Sequence, residues 1–151
     1  MSPTHTYRIR ATSTTVRSGL AVAEGIEPSI AFSAPPEFKG QAGQWTPEHL
    51  LVAAVASCYV STFSGMAFNS NFEFFCLELE TEGVLAEDQA GWRFKEVVIR
   101  PRLTIARAEQ KGLGSRLLHK AKDNCLIGRS LACPIVLESA FDIEEQLVAS
   151  K

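Results

Sequence analysis

The longest apolar segment of the chain lies near its centre and predicts a helix over residues 45–68. Thr46 suits the N-cap position, and Pro47 suits the first helical position because its missing N–H would have no partner there. Apolar residues then fall on every side of the helix as far as Val60. A helix that is apolar all round has to be enclosed by other parts of the structure. We therefore predict that this helix is buried at the centre of the fold.

Short segments with loosely alternating apolar residues precede the helix and indicate a small antiparallel sheet. The predicted strands cover residues 6–13, 20–24 and 29–33. Gly19 is predicted to adopt the positive φ that closes the first turn, since glycine lacks the Cβ that disfavours this conformation. Residues 34–44 are rich in proline and glycine and are predicted to form the loop that leads into the helix.

Two long segments after the helix alternate between apolar and polar residues and predict a pair of strands, over residues 72–83 and 93–107. In the second strand, four apolar residues share one face: Val97, Ile99, Leu103 and Ile105. Charged residues occupy the opposite faces of both strands. Among them, Glu78, Glu80 and Glu82 are predicted to pair with Arg100 and Arg102, and such exposed pairs contribute at most about 1 kcal/mol each.

The C-terminal part of the chain predicts a second helix over residues 109–124 and a final strand over residues 135–143. Apolar residues at helical spacing form one buried stripe on the helix: Leu113, Leu117, Leu118, Ala121 and Cys125. The final strand directs Ile135, Leu137, Phe141 and Ile143 inward. This order of elements predicts an α+β fold, with antiparallel sheets around the central helix, in a single domain over residues 1–151.

The charge distribution gives no sign of a nucleic-acid or membrane partner. The formal net charge is −2 at pH 7, and the 15 Lys and Arg residues are scattered among 17 Asp and Glu residues. No N-terminal signal is visible, and the apolar run over residues 50–60 is far shorter than the ~20 residues that span a bilayer. We therefore expect a soluble, cytoplasmic protein.

Four cysteines offer the most distinctive chemistry in this sequence: Cys58, Cys76, Cys125 and Cys133. They include no Cys-x-x-Cys pair and the three histidines do not cluster with them, so we expect neither a zinc site nor a disulfide framework. Buried packing is the ordinary role of a single cysteine. The alternative is peroxide reduction, which needs a thiolate stabilised by a cation and a second cysteine that condenses with the sulfenic acid. Composition alone does not select the arginine.

The central segment resembles the central helix of the OsmC/Ohr family, which comprises osmotically inducible protein C and the organic hydroperoxide resistance proteins. The similar residues are Thr46-Pro47-Glu48-His49-Leu50-Leu51-Val52-Ala53-Ala54, followed by Ser57-Cys58. Two other segments are similar to the parts of the family that carry an arginine and a second cysteine. They are Thr15-Val16-Arg17-Ser18-Gly19-Leu20-Ala21-Val22 and Ala121-Lys122-Asp123-Asn124-Cys125.

The resemblance implies that Cys58 is the peroxidatic thiol and Cys125 the resolving thiol. It also implies that Arg17 activates the thiolate and binds the peroxide, and that the carboxylate of Glu48 holds Arg17 in place. The implied assembly is an intertwined homodimer of α+β subunits in which two central helices pack together. The implied substrates are organic hydroperoxides, reduced with lipoyl-type or other dithiols and without a metal or an organic cofactor.

Helix geometry adds a constraint on this site. Glu48 and Cys58 are ten residues apart, hence ~15 Å apart along a regular helix, and cannot touch within it. Either the helix is broken, or Arg17 bridges the two residues, or the glutamate beside Cys58 comes from a second chain. The third option fits a helix that is apolar on every side, and we therefore hypothesise a site shared between subunits.

The segment after the second cysteine departs from the family pattern Cys-Pro-x-Ser, because this chain has Cys125-Leu126-Ile127-Gly128. Cys133 lies eight residues further on and is an alternative resolving thiol. Two other functions stay open at this point. One is a non-catalytic stress-related or small-ligand-binding protein of the same fold, whose cysteines only pack. The other is a redox sensor that signals through a Cys58–Cys125 bridge.

Overall fold

The computed structural model describes residues 2–145. The chain forms two compact units, Met1–Leu51 and Val52–Lys151. The single domain expected from the length of the chain stays a prediction. Helix α1 (Pro47–Asn69) begins in the first unit and continues into the second.

The first unit is built on a three-stranded antiparallel sheet. Its strands are β1 (Ile9–Thr15), β2 (Ser18–Ala23) and β3 (Ile26–Ser33), in the order β1-β2-β3. The three strands predicted for this region are thus present, with ends that differ by a few residues. β1 is an edge strand and is exposed along its whole length. An exposed edge of this kind offers unpaired backbone groups to another chain.

The turn between β1 and β2 differs from the prediction. The positive φ belongs to Arg17 (69°), and Gly19 is not among the residues with positive φ. Gly19 serves close packing instead. A Cβ at this position would lie 2.5 Å from the carbonyl oxygen of Thr12 and 2.7 Å from the ring of Phe32.

The predicted cap at the start of α1 is confirmed. The backbone N–H of His49 donates to Oγ1 of Thr46 at 3.1 Å, and Pro47 is the first helical residue. Oγ1 of Thr46 also lies 2.9 Å from Nδ1 of His49. From this start the helix continues without a break to Asn69.

The second unit contains a four-stranded mixed sheet. Strands β4 (Cys76–Asp88) and β5 (Gly91–Ile105) form a long antiparallel hairpin. Strands β6 (Ile135–Leu137) and β7 (Ala140–Ile143) both pair with β5 and run parallel to it. The predicted α+β fold class is confirmed, and the parallel pairing is an addition to it.

The final strand predicted over residues 135–143 is divided into β6 and β7. Both keep one register against β5, and the gap between them lies opposite Pro101. Backbone hydrogen bonds join β5 to this segment next to the gap. The N–H of Glu138, for example, donates to the carbonyl oxygen of Ile99 at 2.9 Å. Pro101 has no N–H to donate at the next position, so the ladder is interrupted there.

The predicted ion pairs on the exposed face of the sheet are present in part. As predicted, Arg100 lies 3.7 Å from Glu80 and 3.5 Å from Glu82. Arg102 pairs with Asp142 on β7 at 3.0 Å instead of with a glutamate of β4.

The core of the second unit contains residues of α1, the sheet and α2 (Lys111–Asn124). Helix α1 contributes one stripe at a spacing of four residues: Val55, Tyr59, Phe63 and Ala67. The four residues predicted to face inward on β5 are all buried. On α2, Leu117, Leu118 and Ala121 are buried as predicted, whereas Leu113 is 38% exposed.

Helix α1 is not enclosed on every side within the single chain. Ser57, Ser61 and Ser64 are exposed, and the ring of Phe68 is 83% exposed. By length and composition alone the helix is also apolar enough to cross a membrane, a property that core helices of soluble proteins share. The apolar sequence of this helix predicted full burial. Within one chain, only part of the helix surface is buried.

Candidate functional site

Two cysteines of the second unit lie together where α2 ends. Cys58 is near the middle of α1 and half-buried, and Cys125 is the residue directly after α2 and only 2% exposed. Cys125 has extended backbone angles (φ −65°, ψ 112°), so the chain turns there before the short helix α3 (Leu126–Ser130). The two thiols lie close enough for each to shift the pKa of the other. The thiol of Cys125 donates a hydrogen bond to the carbonyl oxygen of Val55, 4.0 Å from its sulfur.

The start of α3 supplies backbone donors to both sulfurs. The N–H groups of Leu126 and Ile127 are directed at the sulfur of Cys58. The N–H groups of Gly128 and Ile127 are directed at the sulfur of Cys125. These donors are free because the first N–H groups of a helix have no partner within it. The first bond within α3 is the one that Arg129 N–H donates to the carbonyl oxygen of Cys125, at 2.9 Å.

Neighbouring hydrogen-bond donors shift the pKa of Cys58. Burial opposes ionisation of this thiol, but the N–H of Ile127 and the thiol of Cys125 outweigh it and lower the pKa of Cys58 below its ordinary value. The hydroxyl of Thr62, with Oγ1 at 4.0 Å from Sγ of Cys58, acts in the same direction. No cation is among the groups that lower this pKa.

Cys125 has the opposite tendency. Burial raises the pKa of Cys125, and the neighbouring sulfur of Cys58 raises it further, against the lowering effect of the Gly128 N–H. The pair therefore consists of a half-buried thiol whose pKa is lowered and a buried thiol whose pKa is raised. A thiolate beside a second thiol is the arrangement that can be oxidised to a disulfide.

Arg17 and Glu48, the other two predicted site residues, are not brought together in the first unit. Arg17 is exposed in the turn between β1 and β2, and no ion pair joins it to Glu48 in the described part of the chain. Glu48 lies in the first turn of α1, and its Oε2 is enclosed without a hydrogen-bond partner among the described residues. Because α1 is unbroken, the helix geometry that separates Glu48 from Cys58 applies as predicted.

The remaining two cysteines are not among the groups that shift the pKa of Cys58 or Cys125. Cys133 packs against the hydrophobic core of the second unit and is not among the groups that bond to the sulfur of Cys58. Cys76 is exposed at the first residue of β4. Of the two resolving thiols left open by the sequence, Cys125 is the one in contact with Cys58.

Sequence reasoning missed the groups, other than Cys125, that lower the pKa of Cys58. Thr62 follows Cys58 by four residues, a spacing that places two side chains on one helix face, so the sequence contained a signal for it. The N–H groups of Leu126 and Ile127 had no such signal, because every residue except proline carries one.

The described residues contain no group of three or more His, Cys, Asp or Glu side chains placed to hold a metal ion.

Comparison with known proteins identifies the family. The sequence model described as OsmC-like protein matches residues 40–140. The uncharacterized protein YmaD of Bacillus subtilis (strain 168) is 27% identical over 111 residues, which cover 72% of this chain and 74% of that protein.

Two solved structures share the fold at low sequence identity. An OsmC-like protein of unknown function from Vibrio cholerae O1 biovar eltor superposes with a TM-score of 0.79 at 21% identity, over 90% of this chain and 99% of that chain. An organic hydroperoxide resistance protein OsmC from Legionella pneumophila gives 0.75 at 17% identity, over 94% and 100%. The family match covers more than half of the sequence and confirms the resemblance of the central segment, and the chain therefore belongs to the OsmC-like protein family.

Proposed function

We propose that this protein is a thiol-dependent peroxidase that reduces organic hydroperoxides. The observation that carries the proposal is the proximity of Cys58 and Cys125, with backbone N–H groups of α3 beside both sulfurs. An accessible thiolate and a second thiol within reach are what such a reaction needs. The Legionella pneumophila protein of the same fold is named an organic hydroperoxide resistance protein, which supports the same substrate class.

In the first step, the thiolate of Cys58 attacks the outer oxygen of the hydroperoxide. A sulfur–oxygen bond forms, the O–O bond breaks, and the alkoxide leaves and takes up a proton to become the alcohol. In the second step, the sulfur of Cys125 attacks the sulfenic acid of Cys58. The S–S bond forms, the S–O bond breaks, and hydroxide leaves with the proton of Cys125 as water. An external dithiol then reduces the disulfide and is itself oxidised.

The surroundings of Cys125 suit this order of steps. While Cys58 is ionised, its charge raises the pKa of Cys125 and keeps that thiol protonated. Oxidation converts Cys58 into a neutral sulfenic acid and removes this effect, while the N–H of Gly128 remains in place. The second thiol therefore becomes a better nucleophile only after the first has reacted.

Arg17 is the proposed cation that binds the peroxide at the Cys58 thiolate, with Glu48 holding its guanidinium. The enclosed Oε2 of Glu48 supports this role, because a buried carboxylate oxygen without a partner is unfavourable. Replacing Arg17 by Gln is expected to lower kcat/KM for cumene hydroperoxide about 100-fold, since it removes a preorganised charge at the reacting oxygen. Arg10→Gln, on the exposed strand β1, is the matched control and is expected to have little effect.

We further propose that the protein is a homodimer, with the glutamate beside each Cys58 supplied by the other copy. Three observations support this assembly: the incompletely covered helix α1, the exposed edge strand β1, and the exposed apolar side chains of its sheet, such as Ile9 (67%) and Ile26 (62%). Sedimentation equilibrium should give twice the mass of 16.5 kDa. A folded monomer that reduces hydroperoxide at the full rate in dilute solution would contradict the shared site.

The proposed reductant is a dithiol, of which lipoyl-type compounds are one class. A dithiol can displace Cys58 or Cys125 from their disulfide and then close on itself, which makes the second exchange intramolecular. The proposed location is the cytoplasm, where the reducing poise keeps both thiols available. Dihydrolipoamide should support many turnovers, whereas a monothiol such as glutathione at the same thiol concentration should support fewer.

Mass spectrometry after stoichiometric cumene hydroperoxide tests the central proposal. The expected result is loss of two hydrogens from the protein and a peptide in which Cys58 is linked to Cys125. Cys58→Ser should abolish hydroperoxide turnover, and Cys125→Ser should accumulate sulfenic and then sulfinic acid at Cys58 under repeated cycles. Cys76→Ser is the control, because this exposed cysteine lies outside the pair. An unchanged mass would favour the alternative, a non-catalytic ligand-binding protein of the same fold.

A further inference from the structure

One tyrosine connects the two helices that carry the cysteine pair. Tyr59 directly follows Cys58 on α1 and is 0% exposed. Its hydroxyl crosses to α2 and donates a hydrogen bond to the backbone carbonyl oxygen of Leu118 at 2.9 Å. Leu118 is also 0% exposed, so water does not compete for this bond.

This hydrogen bond lies close to Cys125 along α2. Leu118 lies about two helical turns before Cys125 on the same side of α2, where its side chain belongs to the buried stripe. Helix α1 therefore meets the last turns of α2 at two places, through the hydroxyl of Tyr59 and at the sulfur of Cys125, which lies 4.0 Å from the carbonyl oxygen of Val55. Burial raises the pKa of Tyr59, so its phenol stays neutral and remains a donor.

We propose that Tyr59 is a positioning residue for the resolving thiol: its hydroxyl bond to Leu118 holds the end of α2 where Cys125 can reach Cys58. This inference rests on the proposed function and adds a residue to its second step. A disulfide forms only when the two Cβ atoms come within ~3.5–4.5 Å, and displacements of about 1 Å slow positioned reactions strongly. The hydroxyl of Tyr59 bonds to the carbonyl oxygen of Leu118 and not to a sulfur, so the effect of removing it is expected on disulfide closure.

The test compares Tyr59→Phe with Tyr7→Phe, since the chain has two tyrosines and Tyr7 is 90% exposed. Both are made in a Cys76→Ser/Cys133→Ser background, which leaves only the two cysteines of the pair. Dithiodipyridine then replaces the peroxide. The thiolate of Cys58 attacks one sulfur of the reagent and releases one thiopyridone, and the second cysteine displaces the other thiopyridone as the protein disulfide closes. The two releases are followed separately by absorbance.

The expected result is an unchanged first release and a second release slowed about fivefold in Tyr59→Phe, the effect of one lost buried hydrogen bond. Tyr7→Phe should leave both releases unchanged. With cumene hydroperoxide in excess, Tyr59→Phe should also divert more Cys58 to sulfinic acid, because disulfide closure competes less well with further oxidation.

Two outcomes would overturn the positioning role. One is a second release as fast as in the Tyr7→Phe control, and the other is equal slowing of both releases, which would indicate general loosening of the fold. Far-UV circular dichroism establishes that the variant is folded, and Tyr59→Met provides a second side chain without a hydroxyl if Tyr59→Phe is not. Because dithiodipyridine needs no peroxide, slow closure without any hydroperoxide turnover would sustain the role of Tyr59 and reject the peroxidase.

Discussion

Two glycines of α2 differ in what surrounds them, and this difference predicts opposite effects of the same substitution. A Cβ added to Gly114 would lie 3.0 Å from the ring of Phe141, 3.2 Å from the ring of Phe72 and 3.4 Å from a methyl of Leu103. Ordinary carbon contacts are ~3.5–4.0 Å. Gly114→Ala therefore pushes α2 against three large side chains, and such overpacking destabilises a core by about 1–3 kcal/mol.

The helix itself gains from the same change, since alanine is more favourable than glycine in a helix by about 0.8–1.0 kcal/mol. The two effects together predict that Gly114→Ala lowers the free energy of unfolding by roughly 0–2 kcal/mol. Gly112 is the matched control on the same helix, because its Cβ would meet only the end of the Arg116 side chain, at 3.8 Å. Gly112→Ala should raise the free energy of unfolding, by up to about 1 kcal/mol.

Urea unfolding of both variants at one fixed protein concentration measures the difference, which should be about 1–3 kcal/mol with unchanged m-values. Using the difference removes the helix propensity that the two positions share. Equal stabilities of Gly112→Ala and Gly114→Ala would show that α2 moves away from the sheet at no cost. The close packing of α2 on Phe141 and Phe72 would then not be a property of the folded protein.

Three further predictions follow from burial and charge. Phe63→Ala should lower the free energy of unfolding by about 3–5 kcal/mol, because this ring is 0% exposed, and a loss below about 1 kcal/mol in urea would contradict the core. Alkylation of Cys58 by iodoacetamide should reach half its plateau at a lower pH than a free thiol, and Cys125→Ala should raise that midpoint. Since the pKa of Cys58 is lowered by folding, its contribution to stability is present above the unfolded pKa and lost as the pH falls through the folded one. The hydrogen bond from Lys95 is the main cause that lowers the pKa of the Asp88 carboxyl from 3.8 to about 2. Titration followed by NMR should therefore have its midpoint near pH 2, and the stabilising effect of this carboxylate should be lost as the pH falls below 3.8. A midpoint near 3.8 would refute this.

The periodic parts of the fold could be predicted because burial follows the alternation of side chains. The inward face of β5 and three residues of the α2 stripe were predicted from spacing alone and are buried. Predictions for single positions were wrong where a contact with the backbone determines the local structure. Gly19 is explained by its closeness to the carbonyl oxygen of Thr12, and Pro101 by the missing N–H that divides the last strand. In both cases the contact is with a residue of another strand, so no local sequence pattern indicates it.

The burial of Cys125 could also be predicted, since it ends the apolar stripe of α2. Its contact with Cys58 could not, because no spacing relates two cysteines on different helices, and only the family resemblance paired them. The exposed side of α1 is a second feature that the sequence did not predict. Its apolar composition predicted enclosure, but a composition does not say whether the cover comes from the same chain, and within this chain Ser61 and Phe68 remain exposed.

The departure from the family pattern after Cys125 has a physical consequence in this structure. A proline at position 126 would have no N–H, whereas the N–H of Leu126 is one of the donors that lower the pKa of Cys58. Gly128 places its own N–H at Cys125 and keeps the space beside that sulfur open, since a Cβ there would lie 3.5 Å from it. The two departures thus leave an additional backbone donor beside Cys58 and no side chain at position 128 next to the buried sulfur of Cys125. Because neutral donors already lower the pKa of Cys58, the proposed role of Arg17 is expected at the oxygens of the peroxide more than in the ionisation of Cys58.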